Sequence, residues 1–362
     1  MNKNKKIIEL CLAHGLGGLE LYAASSFEYF KDKTKCLAVV APGTKLDGII
    51  NDTDKFTLKR NKLFPFIPAL KLARLIDKND IDIIHFHWGK DIITAVLAKL
   101  LSKKKPKILH SRHMNMTRFK DDMYHRGLYK NIDMLHAVTK QLEEQMQRYI
   151  PKSIRPPIET IYLGVKESLI DETKVQELKS KYALKDEFIV GMIGRIEEEK
   201  GQYLLIEAID KLKDLNIKAL IIGHTMDEAY LEKLKKSVSD LSLEKKIIFT
   251  GFTKDVNEHM KLCDTVVLAT KKETFGLVLV EAMMNKICTI ATNNGGPLEI
   301  IDEGINGLLF NRTSNNLADK IEHLFKNSQK KLSLAEAGYE KAKKEFEHEK
   351  QMQKMYSLIE KM

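Results

Sequence analysis

Short unbroken apolar runs and longer amphipathic segments take turns along this chain. The runs at residues 6–13, 36–40, 81–86, 107–110 and 134–138 have the length and composition of buried strands. Between them, residues 19–30, 65–76, 91–101 and 121–129 carry apolar side chains at the three- and four-residue spacing of a helix with one buried face. The alternation pauses over residues 152–163, which contain Pro156-Pro157. It resumes with helices at 173–182, 203–212, 229–238 and 256–262 and strands at 188–193, 219–222, 247–250 and 265–268. Strands that alternate with helices imply parallel sheets, because each return to the same edge needs a crossover. The pattern predicts an α/β protein whose two halves share an organisation and meet near residue 165, with no short repeat between them. Beyond Asn315 the chain is helical and charged. Its last stretch, residues 346–362, places Met352, Met355, Leu358 and Ile359 on one face.

The 362 residues suffice for two domains of ordinary size, and 43% hydrophobic with 30% charged residues favours globular cores over disorder. No run approaches the ~18 consecutive apolar residues of a membrane span. Glu9 and His14 interrupt the N-terminal stretch that superficially resembles a signal peptide, so it reads as a first buried strand. Cys11, Cys36, Cys263 and Cys288 lie far apart without a C-x-x-C spacing, which suits free thiols in a reducing cytoplasm. The net charge of +10 is lopsided: residues 1–165 hold 29 Lys+Arg against 17 Asp+Glu, so the whole excess belongs to the first half. Such a half suits an anionic partner, either a membrane surface, a charged acceptor or nucleic acid. Solvated lysines that merely keep a protein soluble give the same count. A nucleic-acid binder would need aromatic-rich basic patches, and only 7% of residues are aromatic, with one Trp.

The densest chemistry lies in residues 272–310. Glu273 precedes Thr274-Phe275-Gly276, an apolar run from Leu277 to Val280, and then Glu281. Gly276 sits where a loop should become a helix, and free N–H groups there suit a phosphate or a sugar hydroxyl. The helical neighbours of Glu281 are Leu277, Val278 and Met284, all apolar. Either the helix turns Glu281 to water or a polar partner is brought to it. Arg195 and Lys200 follow an apolar strand, five residues apart. Beyond the carboxyl end of a strand such a pair suits a diphosphate, with Arg gripping bidentately and Lys supplying a point charge. Glu197-Glu198-Glu199 between them offer an alternative set of partners. Gly17-Gly18 lies at the mouth of the first strand, and either His110 or His113 stands at the end of another, with His113 the better placed beyond the apolar run. His85, His87, His125 and His136 read as structural. His85-Phe86-His87 shares one strand face without evident further metal ligands. Asp52-Thr53-Asp54 and Asp80-Ile81-Asp82 match D-x-D, a short and unspecific metal signature. No catalytic metal is expected, since Arg195 and Lys200 can neutralise charge.

Read in order, Glu273 and Glu281 with seven residues between them, Phe275-Gly276 among those seven and Ala282-Met283 after them resemble the E-x7-E signature of retaining glycosyltransferases of family 4, which have the GT-B fold. Gly295-Gly296-Pro297-Leu298-Glu299, Gly304-Ile305-Asn306-Gly307, the Gly194-Arg195 to Lys200-Gly201 spacing and Gly17-Gly18-x-Glu20 are similar to that family too. The resemblance implies two Rossmann-like doubly wound domains facing across a cleft. Residues 1–165 would take the acceptor, 166–345 would bind the nucleotide sugar, and 346–362 would cross back onto the first domain. It implies transfer of a sugar, a hexose foremost, from a UDP- or GDP-sugar to a glycan or lipid-linked hydroxyl, with retention and with neither cofactor nor metal. Bacterial surface-polysaccharide or lipopolysaccharide synthesis is the expected setting, in the cytoplasm or on the inner face of its membrane. By resemblance Glu281 accepts from the ribose hydroxyls, and Glu273 with the amides of Phe275, Gly276 and Leu277 holds the sugar and a phosphate. Arg195 and Lys200 stabilise the leaving diphosphate, His113 lies against the donor sugar, and Gly17 and Gly18 face the diphosphate or the acceptor. GT-B epimerases and phosphorylases share the fold but lack this combination. Lys103-Lys104-Lys105, Lys107, Arg112, Arg118 and Lys120 are expected to crowd one region. Together with Lys59-Arg60 and Lys62 before Leu63-Phe64-Pro65-Phe66, they suit an anionic leaflet.

Overall fold

The structure is a computed structural model that describes residues 4–51, 53–61 and 64–362. Of the motifs above, Asp52, Lys62 and Leu63 lie outside the described residues. The first sheet contains β1 (Ile7–Cys11), β2 (Cys36–Val40), β3 (Lys55–Thr57), β4 (Ile83–Phe86), β5 (Lys107–Arg112), β6 (Met134–Ala137) and β7 (Ile158–Thr160). All pairs are parallel, in the order β3-β2-β1-β4-β5-β6-β7. The register sets Glu9 of β1 directly beside His85 of β4. Helices Gly18–Lys31, Phe66–Asn79 and Ile92–Leu101 cover the sheet, so β1 and β2 are buried along their whole length. That double burial is why both strands read as continuous apolar runs rather than alternating ones.

The second sheet contains β8 (Phe188–Ile193), β9 (Ile217–Ile222), β10 (Ile247–Gly251), β11 (Thr265–Leu268), β12 (Cys288–Thr292) and β13 (Leu308–Phe310), in the order β10-β9-β8-β11-β12-β13. Alternate residues feed its two faces. Val190 and Met192 pack with Leu205, Ile209 and Ile321, while Ile189 packs with Leu220, Val266 and Ala282 on the other side.

The chain forms two compact units, residues 1–164 with 348–362, and residues 165–347. The last helix, His348–Lys361, crosses back to the first unit, where Met352, Met355 and Ile359 are buried and the Tyr29 hydroxyl donates to Gln353 Oε1 at 2.9 Å. Phe346 and Glu347 stay with the second unit: the Val165 N–H donates to the Phe346 carbonyl at 2.8 Å. In both sheets the chain winds outward one way and then jumps back across its first strand. The order thus reverses between β1 and β4, and again between β8 and β11. Open α/β sheets bind ligands at the carboxyl ends of strands flanking such a reversal.

Candidate active site

Residues 195–201 leave β8 and residues 269–276 leave β11, so the second unit's reversal point is lined by the motifs singled out in the sequence. Arg195 Nη1 lies 2.9 Å from Glu197 Oε1, with its side chain half exposed. Of the two pairings open to the cations, Glu197 thus takes Arg195, whereas Lys200 Nζ lies 3.3 Å from Glu273 Oε2. Gly201 makes the turn after Lys200 with φ 84°. A Cβ there would lie 2.6 Å from the Ala269 carbonyl oxygen, so only glycine lets this turn rest on the end of β11.

The Glu273 loop is held from behind. The Gly296 N–H donates to the Glu273 carbonyl at 3.1 Å, and a Cβ on Gly295 or Gly296 would come within 2.4 Å of the backbone of residues 273 and 274. Glu273 Oε1 accepts from the Thr274 N–H at 3.1 Å. Phe275 is buried with its ring edge-on to Phe346 at 5.7 Å. Gly276, with φ 102°, converts the loop into helix Leu277–Met284, which has no side-chain cap and whose Leu279 N–H donates to the Gly276 carbonyl at 2.9 Å. Glu281 is half-buried on that helix, and no group among the described residues donates to its carboxylate. Burial pushes it up to about 7. The helix therefore neither turns Glu281 fully to water nor brings it a protein partner.

At the first unit's reversal point, Gly18 opens helix Gly18–Lys31 and Gly17 caps it with φ −160°, extended backbone that any residue adopts. The Glu20 carboxylate folds back to 3.5 Å from where a Gly17 Cβ would stand, an ordinary contact, so neither space nor conformation within this unit demands glycine at residue 17.

Beneath this loop runs a buried chain of polar side chains. His136 Nε2 lies 2.7 Å from the Ile161 carbonyl, and Ser111 Oγ lies 2.6 Å from both His136 Nδ1 and His85 Nε2. His85 Nδ1 is 2.7 Å from Glu9 Oε1, His87 Nε2 is 2.6 Å from Glu9 Oε2, and His87 Nδ1 is 3.4 Å from His113 Nε2. The carbonyl can only accept, so His136 Nε2 carries a proton and Nδ1 accepts from Ser111. Ser111 then accepts from His85 Nε2, which leaves one proton on the His85–Glu9 contact. Burial pushes the Glu9 carboxyl up, but the two imidazoles outweigh it and hold Glu9 below its ordinary value, so that proton rests on the ring. Burial holds His87 down to about 4; neutral and donating to Glu9, it accepts from His113 at Nδ1. The bare His113 Nδ1 is buried with no partner among the described residues.

Glu9, His85 and His87 also form the one group among the described residues with the spacing for a metal ion. Sequence reading treated these histidines as structural and missed Glu9. The available signals were a lone carboxylate in an apolar strand and an H-x-H on the neighbouring one. His113 stands one residue past β5. His110 lies inside the strand, stacked on Phe86 at 4.1 Å, and among the described residues both its ring nitrogens lack partners.

One expectation is corrected. The basic residues after residue 100 do not crowd one region, because β5 separates them. Lys103, Lys104, Lys105 and Lys107 lie at its amino end, Arg112, Arg118 and Lys120 at or beyond its carboxyl end. The amino edge is where Asp80 and Asp82 lie. Lys104 bridges both, at 2.7 and 3.1 Å, and Lys6 bridges Asp80 at 3.0 Å. That D-x-D is therefore committed to ion pairs at the edge opposite the ligand-binding end. No helix among the described residues is long and apolar enough to cross a membrane.

Residues 28–169 match the model of Glycosyltransferase Family 4, and residues 174–341 that of Glycosyl transferases group 1. The chain is 26% identical to N-acetyl-alpha-D-glucosaminyl L-malate synthase of Bacillus anthracis over 81% of this chain and 80% of that protein. It is also 26% identical to the putative glycosyltransferase EpsD of Bacillus subtilis, over 86% of each. The crystal structure of Anabaena Alr3699/HepE in complex with UDP superposes with a TM-score of 0.88 at 20% identity, covering 99% of this chain and 100% of that one. With two glycosyltransferase models matching its successive halves and the E-x7-E glutamates set at a sheet reversal, the chain belongs to the family-4 glycosyltransferases of the GT-B fold.

Proposed function

We propose that the protein is a retaining, metal-independent glycosyltransferase that moves a sugar, foremost a hexose, from a nucleotide-diphosphate sugar to an acceptor hydroxyl in bacterial surface-glycan synthesis. The observation that carries this reading is the half-buried Glu281 carboxylate without a protein donor, on the helix that Glu273 and Gly276 introduce. A vicinal diol supplies the two donors such a carboxylate lacks, and ribose offers one. Arg195 and Lys200 meet the diphosphate; Lys200 leaves Glu273 free for the sugar hydroxyls once a phosphate takes its place. Charge that develops on the leaving diphosphate is then met by preorganised cations, with no metal required. His113 offers its unprotonated Nδ1 to a sugar hydroxyl, and the loop at Gly17 and Gly18 faces the incoming ligand. UDP is the nucleotide favoured by the UDP and UDP-glucose complexes of the Anabaena protein, and GDP is the alternative.

Exposed Phe64, Phe66 and Ile67, beside Lys59 and Arg60, favour peripheral contact with an anionic leaflet on the cytoplasmic side. Titration of the whole chain with UDP and GDP, followed by turnover of UDP- and GDP-sugars in EDTA, tests the reading. One nucleotide should bind and its sugar should be consumed only when acceptor is present, with the anomeric configuration kept. Loss of activity in EDTA, restored by manganese, would overturn metal independence. Consumption of donor without acceptor would overturn transfer.

A further inference from the structure

A cavity of about 450 Å³ opens at the carboxyl ends of β4 and β5 in the first unit. Five cations line it, Arg60, Lys90, Arg112, Arg118 and Lys120, together with Trp88 and His113, and no Asp or Glu does. Several cations elsewhere in this unit are matched: Lys6, Lys99 and Lys104 each bridge a carboxylate within 3.1 Å. Among the described residues none of the five has such a bridge. Arg60 and Lys90 lie over the Trp88 ring at 5.0 and 5.2 Å, a weaker substitute for an anion. Arg112 is the most committed. Its Nη2 donates to the Asn115 carbonyl at 3.2 Å, while its Nε is buried with no acceptor. Burial holds the guanidinium below its ordinary value. Lys120 is lowered by burial and then by the charges of Arg112 and Arg118. Like charges gathered in a half-buried cavity repel one another, and an oxyanion is the group that relieves this while filling the empty Nε position.

We propose that this cavity is an oxyanion site, anchored by Arg112, that binds a phosphate or carboxylate group of the acceptor. The inference rests on the glycosyl-transfer reading and names the class of acceptor: one that carries a negative group close to the hydroxyl that reacts. Trp88 beside the cations gives such a molecule an apolar face as well. The acceptor would then be recognised by charge in the first unit and the donor by diphosphate and ribose in the second. An uncharged sugar would leave five cations without an ion-pair partner and bind poorly.

Calorimetric titration of the whole chain tests this without any donor present. The probes are glycerol 3-phosphate, malate and, as the neutral control, glycerol, all at matched ionic strength. At least one anion should bind once per chain and glycerol should not. Arg112→Gln should weaken that binding at least tenfold. Lys120→Gln, a change at a more exposed position, should weaken it severalfold and covers the case in which Arg112→Gln folds poorly. Binding of UDP should be unchanged in both variants. Competition by vesicles containing phosphatidic acid would assign the oxyanion to a lipid headgroup, and its absence to a water-soluble acceptor; both support the site. Anions that bind no better than glycerol would overturn it. So would binding that survives both substitutions, or a loss of UDP affinity equal to the loss for the anion, which would make the cavity part of the donor site. Failure of the glycosyl-transfer reading has a different signature: intact anion binding in a protein that binds no nucleotide.

Discussion

The two sheet reversals share a topology and solve opposite electrostatic problems. At β1/β4 the fold buries Glu9, His85, Ser111, His87 and His136 and pairs them with one another, so the interior is wired before any ligand arrives. At β8/β11 it leaves Glu281 without a donor and builds the Lys200 and Glu273 loops before it on glycine turns. The first arrangement fixes side chains; the second leaves a group whose partner must be a ligand. The difference also gives the two units opposite responses to pH, which makes the comparison breakable.

The largest expected effect is acid lability of the first unit. Burial, the leading cause at each, holds His87 down to about 4 and His136 to about 3, and keeps His110 and His113 well below the ordinary value. A histidine lowered in the fold stays neutral there and takes up its proton only on unfolding. The stability it contributes is therefore complete above its unfolded value of about 6.5 and is lost as pH falls below that. Each such histidine costs about 2 kcal/mol by pH 5, so the unit should lose several kcal/mol between pH 7 and 5. The chain's one tryptophan, Trp88, lies in this unit, so its fluorescence follows this unfolding separately from nucleotide binding in the other. A first-unit transition that does not move with pH would refute the buried neutral state of these four histidines.

Next in size is the diphosphate grip. Arg195→Ala or Lys200→Ala should lower turnover a hundred- to a thousandfold, about 3–4 kcal/mol of transition-state stabilisation. Neither should change the melting temperature appreciably, because Arg195 is half exposed and the Lys200–Glu273 pair is a single ion pair. Near-normal turnover in both variants would move the leaving-group contact elsewhere.

These two predictions differ in how visible their residues were in the sequence. Arg195, Lys200, Glu273 and Glu281 were legible because a donor site at a strand end needs particular residues at fixed short spacing, and all four fall within two short segments, the loop after β8 and the loop and helix after β11. Most elements were legible because parallel strands covered on both faces are continuous apolar runs. Lys55–Thr57 and Ile158–Thr160, at the two edges of the first sheet, were not, being three residues each and half exposed. The Glu9 chain was illegible for another reason. Its members come from β1, β4, β5 and β6, and only the register that sets Glu9 beside His85 and Ser111 beside His136 brings them together. The same holds for the cations: seven that looked like one cluster lie at opposite ends of β5, because sequence proximity does not reveal that a strand separates them.

A smaller effect separates the two glutamates. Glu281→Gln should weaken UDP binding about ten- to a hundredfold, the loss expected when hydrogen bonds to a charged group are removed. Glu273→Gln should leave UDP affinity nearly intact and harm turnover of the UDP-sugar. The wild-type affinity should also rise with pH through about 7, because ribose hydroxyls donate to the ionised Glu281 and only ionisation makes both oxygens acceptors. That rise should be missing from Glu281→Gln, which sets it apart from titration of the nucleotide's own phosphate. Equal losses of UDP affinity in the two variants would contradict the division of roles.

The smallest effect is on stability and has the opposite sign to the first. A carboxyl whose value in the fold is raised stays protonated longer than in the unfolded chain. Its favourable contribution is complete below the unfolded value and is lost as pH rises through the folded one. For Glu281 that window runs from the ordinary carboxylate range up to about 7. Above it an ionised, partnerless group is held half-buried beside Leu279 and Val280, which are themselves fully buried. Glu281→Gln should therefore stabilise the ligand-free second unit at pH 8 by about 1–2 kcal/mol, discounted from the full shift for partial exposure, and change little at pH 5. Saturating UDP should erase the gain, because the wild type then acquires the donors it lacked. The measurement is the second unit's unfolding midpoint in denaturant at both pH values. A variant that is less stable than the wild type at pH 8 would mean that Glu281 already has a partner within the fold, and the contrast between a self-paired first site and an open second one would fail.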